Sequence, residues 1–470
     1  MVLWIHWFNA IWLLRSVFSR LSTFLWFVTA VAGFTVRAES LGVTSIIRAL
    51  KLKPSHYNSL RDNFHSAGIN LNALSALWTK VVLQLFNPVR VNGRLVTVVD
   101  GLKAPKSGKK MPGVKLLHQE SDSNTKPEYI MGHSLQAVSL LCQAAQSVFA
   151  VPLATRIHEG IILSNRDQRT LLDKMLGLLC IVGITVPYYT VADAFYASGK
   201  MINGLLAQNN HLITRVRSNA VAYELASKNC KRSKGPKKRG RPKVYGEKVK
   251  LNSLLKKNAE TVEAQSPVYG ETNVKIQYRS ADLLWRPAGC VVRFVAVTHP
   301  TRGSCVLMST DLSLHPLDII QLYGLRFKIE HSFKQAVHVI GTFDYHFWMQ
   351  DMKPLRRGNG DQYMHRESPQ YREAIKRKFQ AYHVHIQAGV ICQGLLQYLS
   401  ATFPTLVWNS FGSWLRTIRS GIPPSEFVVA NALRQTMPEF LLNCREDNIL
   451  AKFIIDRQDT RHMDLFRMAA

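Results

Sequence analysis

The stretch QLYGLRFKIEHSFKQAV, residues 321 to 337, carries Tyr323, Arg326 and Glu330 among apolar residues of helical spacing. At about 100° per residue, an uninterrupted helix sets Tyr323 about 20° and Arg326 about 40° around its axis from Glu330. A phenol, a guanidinium and a carboxylate then share one stripe. The simplest account is a surface helix in which Arg326 and Glu330 form an i,i+4 ion pair worth a few tenths of a kcal/mol. The alternative is a site in which the carboxylate binds a cation and the guanidinium holds a phosphate.

Two further carboxylates favour the alternative. Asp100 ends the apolar run LVTVV and Asp193 ends YYTVA. Both runs read as strands, so both acids fall at the carboxyl edge where open α/β sheets present ligands. Singly, an Asp at a strand end is a turn former. Three carboxylates meeting in one place repel unless a cation neutralises them. Hard oxygen ligands select Mg²⁺ or Mn²⁺, and a pair of such ions activates a water or a 3′-hydroxyl while stabilising the leaving oxygen of a phosphodiester.

The composition fits such a substrate. The 470 residues hold 60 Lys and Arg against 31 Asp and Glu, a formal charge of +29, while 47% of the chain is hydrophobic. A chain of this size holds several domains and a large core, and its charge calls for a polyanion, nucleic acid first. The seven cysteines at 142, 180, 230, 290, 305, 392 and 444 never form a CxxC pair. That argues against a disulfide framework or a zinc site and fits a reducing, cytoplasmic and nucleoid-associated setting. His383 and His385 diverge on a helix and are not read as metal ligands. The apolar run of residues 21 to 36 is a little short to span a bilayer, and we read it as a buried helix rather than as an anchor or signal segment.

Periodicity divides the chain into five parts. Residues 1–90 read as a helical DNA-binding domain containing LGVTSIIRALKL and NLNALSALWTKVVLQLF, separated by the polar KPSHYNSLRDNFHSAG. Residues 91–219 open with strands RLVTVVD, AVSLLCQ and VFAVPLATRI. They continue with a helix from Ser164, whose N-cap is expected at Ser164 with Asp167 completing a capping box and with Gly183 beyond its end, then the strands YYTVAD and HLITRVR. Residues 220–310 form a basic β-rich insertion in which Val274, Ile276 and Tyr278 point one way and Lys275, Gln277 and Arg279 the other. Residues 311–340 carry the helix of Glu330, opened by Pro316, and 341–470 are helical. The expected class is α/β: an RNase H-like mixed sheet with flanking helices, interrupted by a β-rich insertion, with helical N- and C-terminal parts.

Three segments, VVDGLKAPKSGKK, VADAFYASG and LYGLRFKIEHSFKQ, give this order a resemblance to a family. The chain resembles the DDE transposases of bacterial insertion sequences, in the branch marked by a YREK signature, over about residues 90 to 340. The resemblance implies an RNase H-like core whose Asp100, Asp193 and Glu330 are catalytic and hold two Mg²⁺ or Mn²⁺ ions. It also implies binding of terminal inverted repeats, metal-dependent strand cleavage, transfer of the 3′ ends to target DNA, and a homodimer in the synapse. The signature's lysine should stand at position 337, which is Val337; Lys334, one turn from Glu330, is the substitute candidate.

The DNA contacts expected beside the carboxylates are Tyr323, Arg326 and Lys334, together with Lys103 and Lys106 of a basic run that continues through Lys109 and Lys110. The segment PKKRGRPK, residues 236 to 243, resembles an AT-hook, with Lys237, Lys238, Arg239 and Arg241 as its cations. A solvated basic loop is its plainer reading. Trp348 is either packed or free to stack on an extruded base. A non-catalytic DNA-binding or architectural protein, or an inactive transposase remnant, is the alternative from another class. Such a protein has no use for the three carboxylates.

Overall fold

The structure is a computed structural model that describes all residues except 40–41, 120–126, 218, 227–242, 256–260, 414–416, 420, 460 and 462–470. The strands that position the site are β1 (Arg94–Pro105), β2 (Tyr129–Ala144), β3 (Ser147–Ile157), β4 (Tyr188–Ala192), β5 (His211–Val216), β6 (Lys275–Trp285), β7 (Cys290–His299) and β8 (Gly303–Ser309). The helices are α1 (Leu21–Val36), α2 (Leu71–Leu85), α3 (Leu171–Val182), α4 (Gly199–Leu206), α5 (Pro316–Gly324), α6 (Lys328–Gln335), α7 (Pro369–Thr402) and α8 (Glu426–Asn443). The chain divides into two compact units. The first comprises Met1–Val89, Asp100–Ile184 and Ile329–Ala470, and the second Arg90–Val99 and Thr185–Lys328.

In the first unit, α7 is the central beam. It is buried along most of its second half and packs against α1, α2, α8 and β3. A helix apolar on all sides belongs inside a core, and α1 is one, with Phe24, Phe27 and Phe34 at no more than 1% exposure. Gly33 is what lets the next helix, Gly42–Ala49, lie against it, because a Cβ there would stand 2.3 Å from Ile46 Cγ2. The apolar run 21–36 is therefore a core helix. Among the described residues no single helix is long and apolar enough to cross a membrane. The N-terminal helices share this core with the C-terminal ones. β2 and β3 form an antiparallel hairpin, and the second half of β1 runs beside β2: Lys106 N donates to Met131 O at 2.9 Å while Gly101 faces Leu135.

In the second unit, the first half of β1 pairs in parallel with β4 from Leu95↔Tyr188 to Val98↔Val191. β4 pairs in parallel with β5 across the connection that contains α4, as parallel neighbours require. β5 then meets β8 in antiparallel register, and β8, β7 and β6 follow as antiparallel neighbours. On β6, Ile276 and Tyr278 are buried and Lys275 and Gln277 exposed, the alternation that the sequence predicts. Taken in chain order, β1 to β5 give two antiparallel steps, a helix, a parallel strand, a helix and a parallel strand. That is the expected mixed α/β class with helical ends.

Three local expectations change. The helix expected from Ser164 begins at Leu171, capped by Thr170 and Asp173 in a full capping box and closed by Gly183 at φ 69°. Asp167 instead accepts from the guanidinium of Arg169, at 2.9 Å from Nε and 2.7 Å from Nη2. The polar segment after residue 53 contains a helix of its own, His56–Phe64. The helix of residues 321 to 337 is interrupted: α5 ends at Gly324, Leu325–Phe327 is a 3₁₀ turn, and α6 runs into a π turn at Ala336–Ile340.

Candidate active site

Asp193 follows the buried end of β4 and opens the 3₁₀ turn Ala194–Tyr196, its Oδ1 accepting from Phe195 N at 3.0 Å. Its carbonyl accepts from Thr214 Oγ1 on β5 at 2.6 Å, so the neighbouring strand fixes its backbone. Tyr323 occupies the last turn of α5, a helix that packs on β5 and β8. Burial, first of all, raises the pKa of the Tyr323 phenol; Arg326 and Arg215 pull it down, while Cys305 and Asp193 add to the rise. All these groups belong to the second unit. That unit by itself therefore gathers Asp193, Tyr323 and Arg326 into one electrostatic neighbourhood. It adds Arg215 and Cys305, which the sequence reading missed. The available signal was Arg215 itself, a cation on the exposed position of an otherwise buried strand.

The first unit holds the other two carboxylates. Asp100 is half-buried on β1, and Gly101 N donates to its Oδ1 at 2.8 Å. Glu330 is exposed in the first turn of α6, where the buried Ile329 and Ser332 seat the opposite side of the helix. Two devices fix α6. Gln393 on α7 donates Nε2 to Ser332 O at 3.0 Å and to its Oγ at 3.1 Å. Arg37, 3% exposed, donates Nη2 to Ile340 O at 2.7 Å and Gly341 O at 2.9 Å, satisfying carbonyls at the end of the π turn. Burial lowers the pKa of Arg37 to about 10. π turns within helices recur at functional sites, and this one continues from the C-terminal end of the helix that carries Glu330. Lys334 and Val337 are both exposed.

The expected DNA contacts separate into classes. Lys103 is exposed, with Nζ donating to His118 O. Lys106 is corrected: it is 7% exposed, and its ammonium is held by the carbonyls of Phe343 and Tyr345 and lies 3.9 Å from the centroid of the Tyr345 ring. Burial lowers its pKa to about 8. It is a core lysine and presents no charge to a DNA backbone. Lys237, Lys238, Arg239 and Arg241 lie outside the described residues.

Carboxylates are the donors that Mg²⁺ and Mn²⁺ take, and Asp100, Asp193 and Glu330 all retain solvent access. Among the described residues, no group of three or more His, Cys, Asp or Glu side chains stands close enough to hold a metal ion. The two helix histidines have other partners: His383 Nε2 accepts from Ile157 N at 3.0 Å, and His385 Nδ1 lies 3.2 Å from Thr342 O.

Comparison with known proteins adds the family. No curated protein matches the sequence significantly. Among solved structures, the chain is similar to a protein described as the piggyBac transposase synaptic complex with hairpin DNA, studied by cryo-electron microscopy. The identity is 11% and the TM-score 0.36, over 93% of this chain and 75% of that one. The sequence model described as DDE superfamily endonuclease matches residues 14–282, more than half of the chain, including Asp100 and Asp193 and stopping short of Glu330. The chain belongs to the DDE superfamily endonucleases.

Proposed function

We propose that this endonuclease-family protein is a DNA transposase of the bacterial insertion-sequence type, YREK branch. It binds the terminal inverted repeats of its element, cuts the strands at both ends in the presence of a divalent metal, and joins the freed 3′ ends to target DNA. The observation that carries the reading is the neighbourhood of Asp193 with Tyr323 and Arg326. Tyr323 lies on a helix packed against β4 and β5, and both the aspartate that follows β4 and the arginine of the Y-x2-R-x3-E motif bear on its phenol, although the aspartate is more than a hundred positions away in sequence.

Asp100, Asp193 and Glu330 would hold two Mg²⁺ or Mn²⁺ ions, and their donor chemistry fits. When bound, such ions activate a hydroxyl nucleophile and stabilise the leaving oxygen. The remaining work falls to the chain's own groups. Arg326 and Arg215 hold phosphate oxygens next to the scissile bond. Tyr323, kept protonated by burial, donates its hydroxyl hydrogen to a phosphate rather than acting as a base. Lys334 and Lys103 make further phosphate contacts, and the 236–243 run contacts the minor groove. The working form is a homodimer on two DNA ends, in the nucleoid.

The test is incubation of the purified chain with DNA from either side of its coding region. Strand breaks at inverted repeats in Mg²⁺ or Mn²⁺, and none with chelator, support the reading. Binding without breaks in either metal would make the chain a non-catalytic DNA-binding protein.

A further inference from the structure

We propose that the first unit carries a second nucleic-acid site, a groove that holds an unpaired DNA strand. It lies between the loop after β1 and the segment after the π turn. The groove has a volume of about 760 Å³, and Lys106, Lys109, Arg356 and Arg357 are among its lining residues. None of its described lining residues is acidic. Lys109, Arg356 and Arg357 are exposed, whereas the charge of Lys106 is turned inward to carbonyls.

The groove is a built feature. Leu355 N donates to Lys109 O at 2.7 Å, Met349 N to Lys110 O at 3.0 Å, and Leu116 N to Asn359 O at 2.8 Å. Lys110 Nζ adds a bond to Gln350 O at 2.7 Å. Two segments more than two hundred residues apart are thus tied together by their backbones, and the cations of both face one trough. Beneath them Met349, Met352, Met364 and Ile375 form a separate apolar cluster that supports the later segment.

Two aromatic side chains complete it. Tyr129, a lining residue, is 50% exposed, and its ring meets His118 edge-on at 5.1 Å, which steadies it. Trp348 is 64% exposed at the rim beside Gly108, where a Cβ would stand 3.0 Å from Trp348 Nε1. Two rings left open to water on a cationic trough have little use for a duplex, whose bases are stacked on each other. They suit unstacked bases, with phosphates taken by the arginines and lysine. None of the three carboxylates is among the groove's lining residues, and binding there needs no metal.

The experiment measures binding of the full chain, in chelator, to a labelled oligothymidine 20-mer and to a mixed-sequence 20-base-pair duplex by fluorescence anisotropy. Tyr129→Ala with Trp348→Ala should weaken the single strand by at least about tenfold and leave the duplex within about twofold. Arg356→Gln with Arg357→Gln should lower the log-log salt slope for the single strand by about one to one and a half. Unfolding temperatures near wild type confirm that these exposed substitutions leave the fold intact. Unchanged single-strand affinity in the aromatic variant, equal losses on both DNAs, or no single-strand binding by the wild type would each overturn the proposal. Because no cleavage is read, its failure leaves the catalytic reading standing, and failure of cleavage leaves the groove standing.

Discussion

Arg37, at the end of α1, reaches across the sequence to donate Nη2 to Ile340 O at 2.7 Å, and so closes the π turn that follows the helix of Glu330. The same guanidinium meets Gly341 O and Ser45 Oγ, and its plane lies over the Phe34 ring at 4.4 Å. The helix that carries Glu330 is thereby held from the N-terminal part of the chain.

Replacing Arg37 with Met keeps most of the volume and removes the donors, leaving buried carbonyls unpaired. The expected cost is about 2–4 kcal/mol, read as a lower urea midpoint at unchanged slope. A loss below about 0.5 kcal/mol would show that other groups close the turn.

Acid should unfold the first unit early. Burial holds the pKa of His133 down at about 3 and that of His158 at about 4, and pushes those of His383 and His385 well below the ordinary value. Such histidines stay neutral in the folded chain and take up protons on unfolding below pH 6.5. The unfolded state then binds more protons, so stability is fully present above pH 6.5 and is lost as pH falls toward 4. Each contributes a slope of up to about 1.4 kcal/mol per pH unit. Urea midpoints at pH 7, 6 and 5 check this, and a flat profile would contradict it.

Lys106 and Lys103 should behave oppositely. Lys106→Met should change stability and leave the salt dependence of DNA binding alone, whereas Lys103→Ala should flatten the salt slope by up to about 0.9. The wild type should also gain stability relative to Lys106→Met as pH rises from about 8 to 10.5, because the unfolded lysine keeps a proton that the folded one gives up. A salt slope moved by Lys106→Met would place that charge back on the DNA.

Val337 is 44% exposed, so a lysine fits there without repacking. Val337→Lys should unfold near the wild-type temperature and raise cleavage of terminal-repeat DNA, and Lys334→Ala should lower it. If both leave cleavage unchanged, neither position grips the substrate.

The strands and the buried helices were legible because burial imposes periodicity: LVTVV, YYTVA and the alternation around Ile276 are direct records of which side meets the core. Ends and turns were less so. Ser164-x-x-Asp167 and Thr170-x-x-Asp173 offer the same capping pattern, and the choice of Thr170 follows from the polar residues 165–169, which give a helix nothing to bury. The break after Gly324 is not marked in the sequence, and neither is the close approach at that glycine, where a Cβ would stand 2.6 Å from Val268 Cγ1, in a segment more than fifty residues away. The burial of Lys106 was hidden likewise, since the carbonyls that hold it come from residues 343 and 345. Types and spacing single out Asp193, Tyr323 and Arg326 as candidates, whereas the pairing of β5 with β8 is what brings Arg215 and Cys305 to bear on the same Tyr323 phenol.

The most direct test of the central claim is strand cleavage by Glu330→Gln, which keeps the shape of the exposed side chain and removes the charge that would hold a metal. The variant should unfold at the wild-type temperature and bind terminal-repeat DNA as the wild type does, while cleavage in Mg²⁺ falls by several orders of magnitude. Asp100→Asn and Asp193→Asn should match it, and pairing any two should add little, since groups acting as one unit are strongly non-additive. Near-normal cleavage by Glu330→Gln would contradict the account and remove that carboxylate from the chemistry.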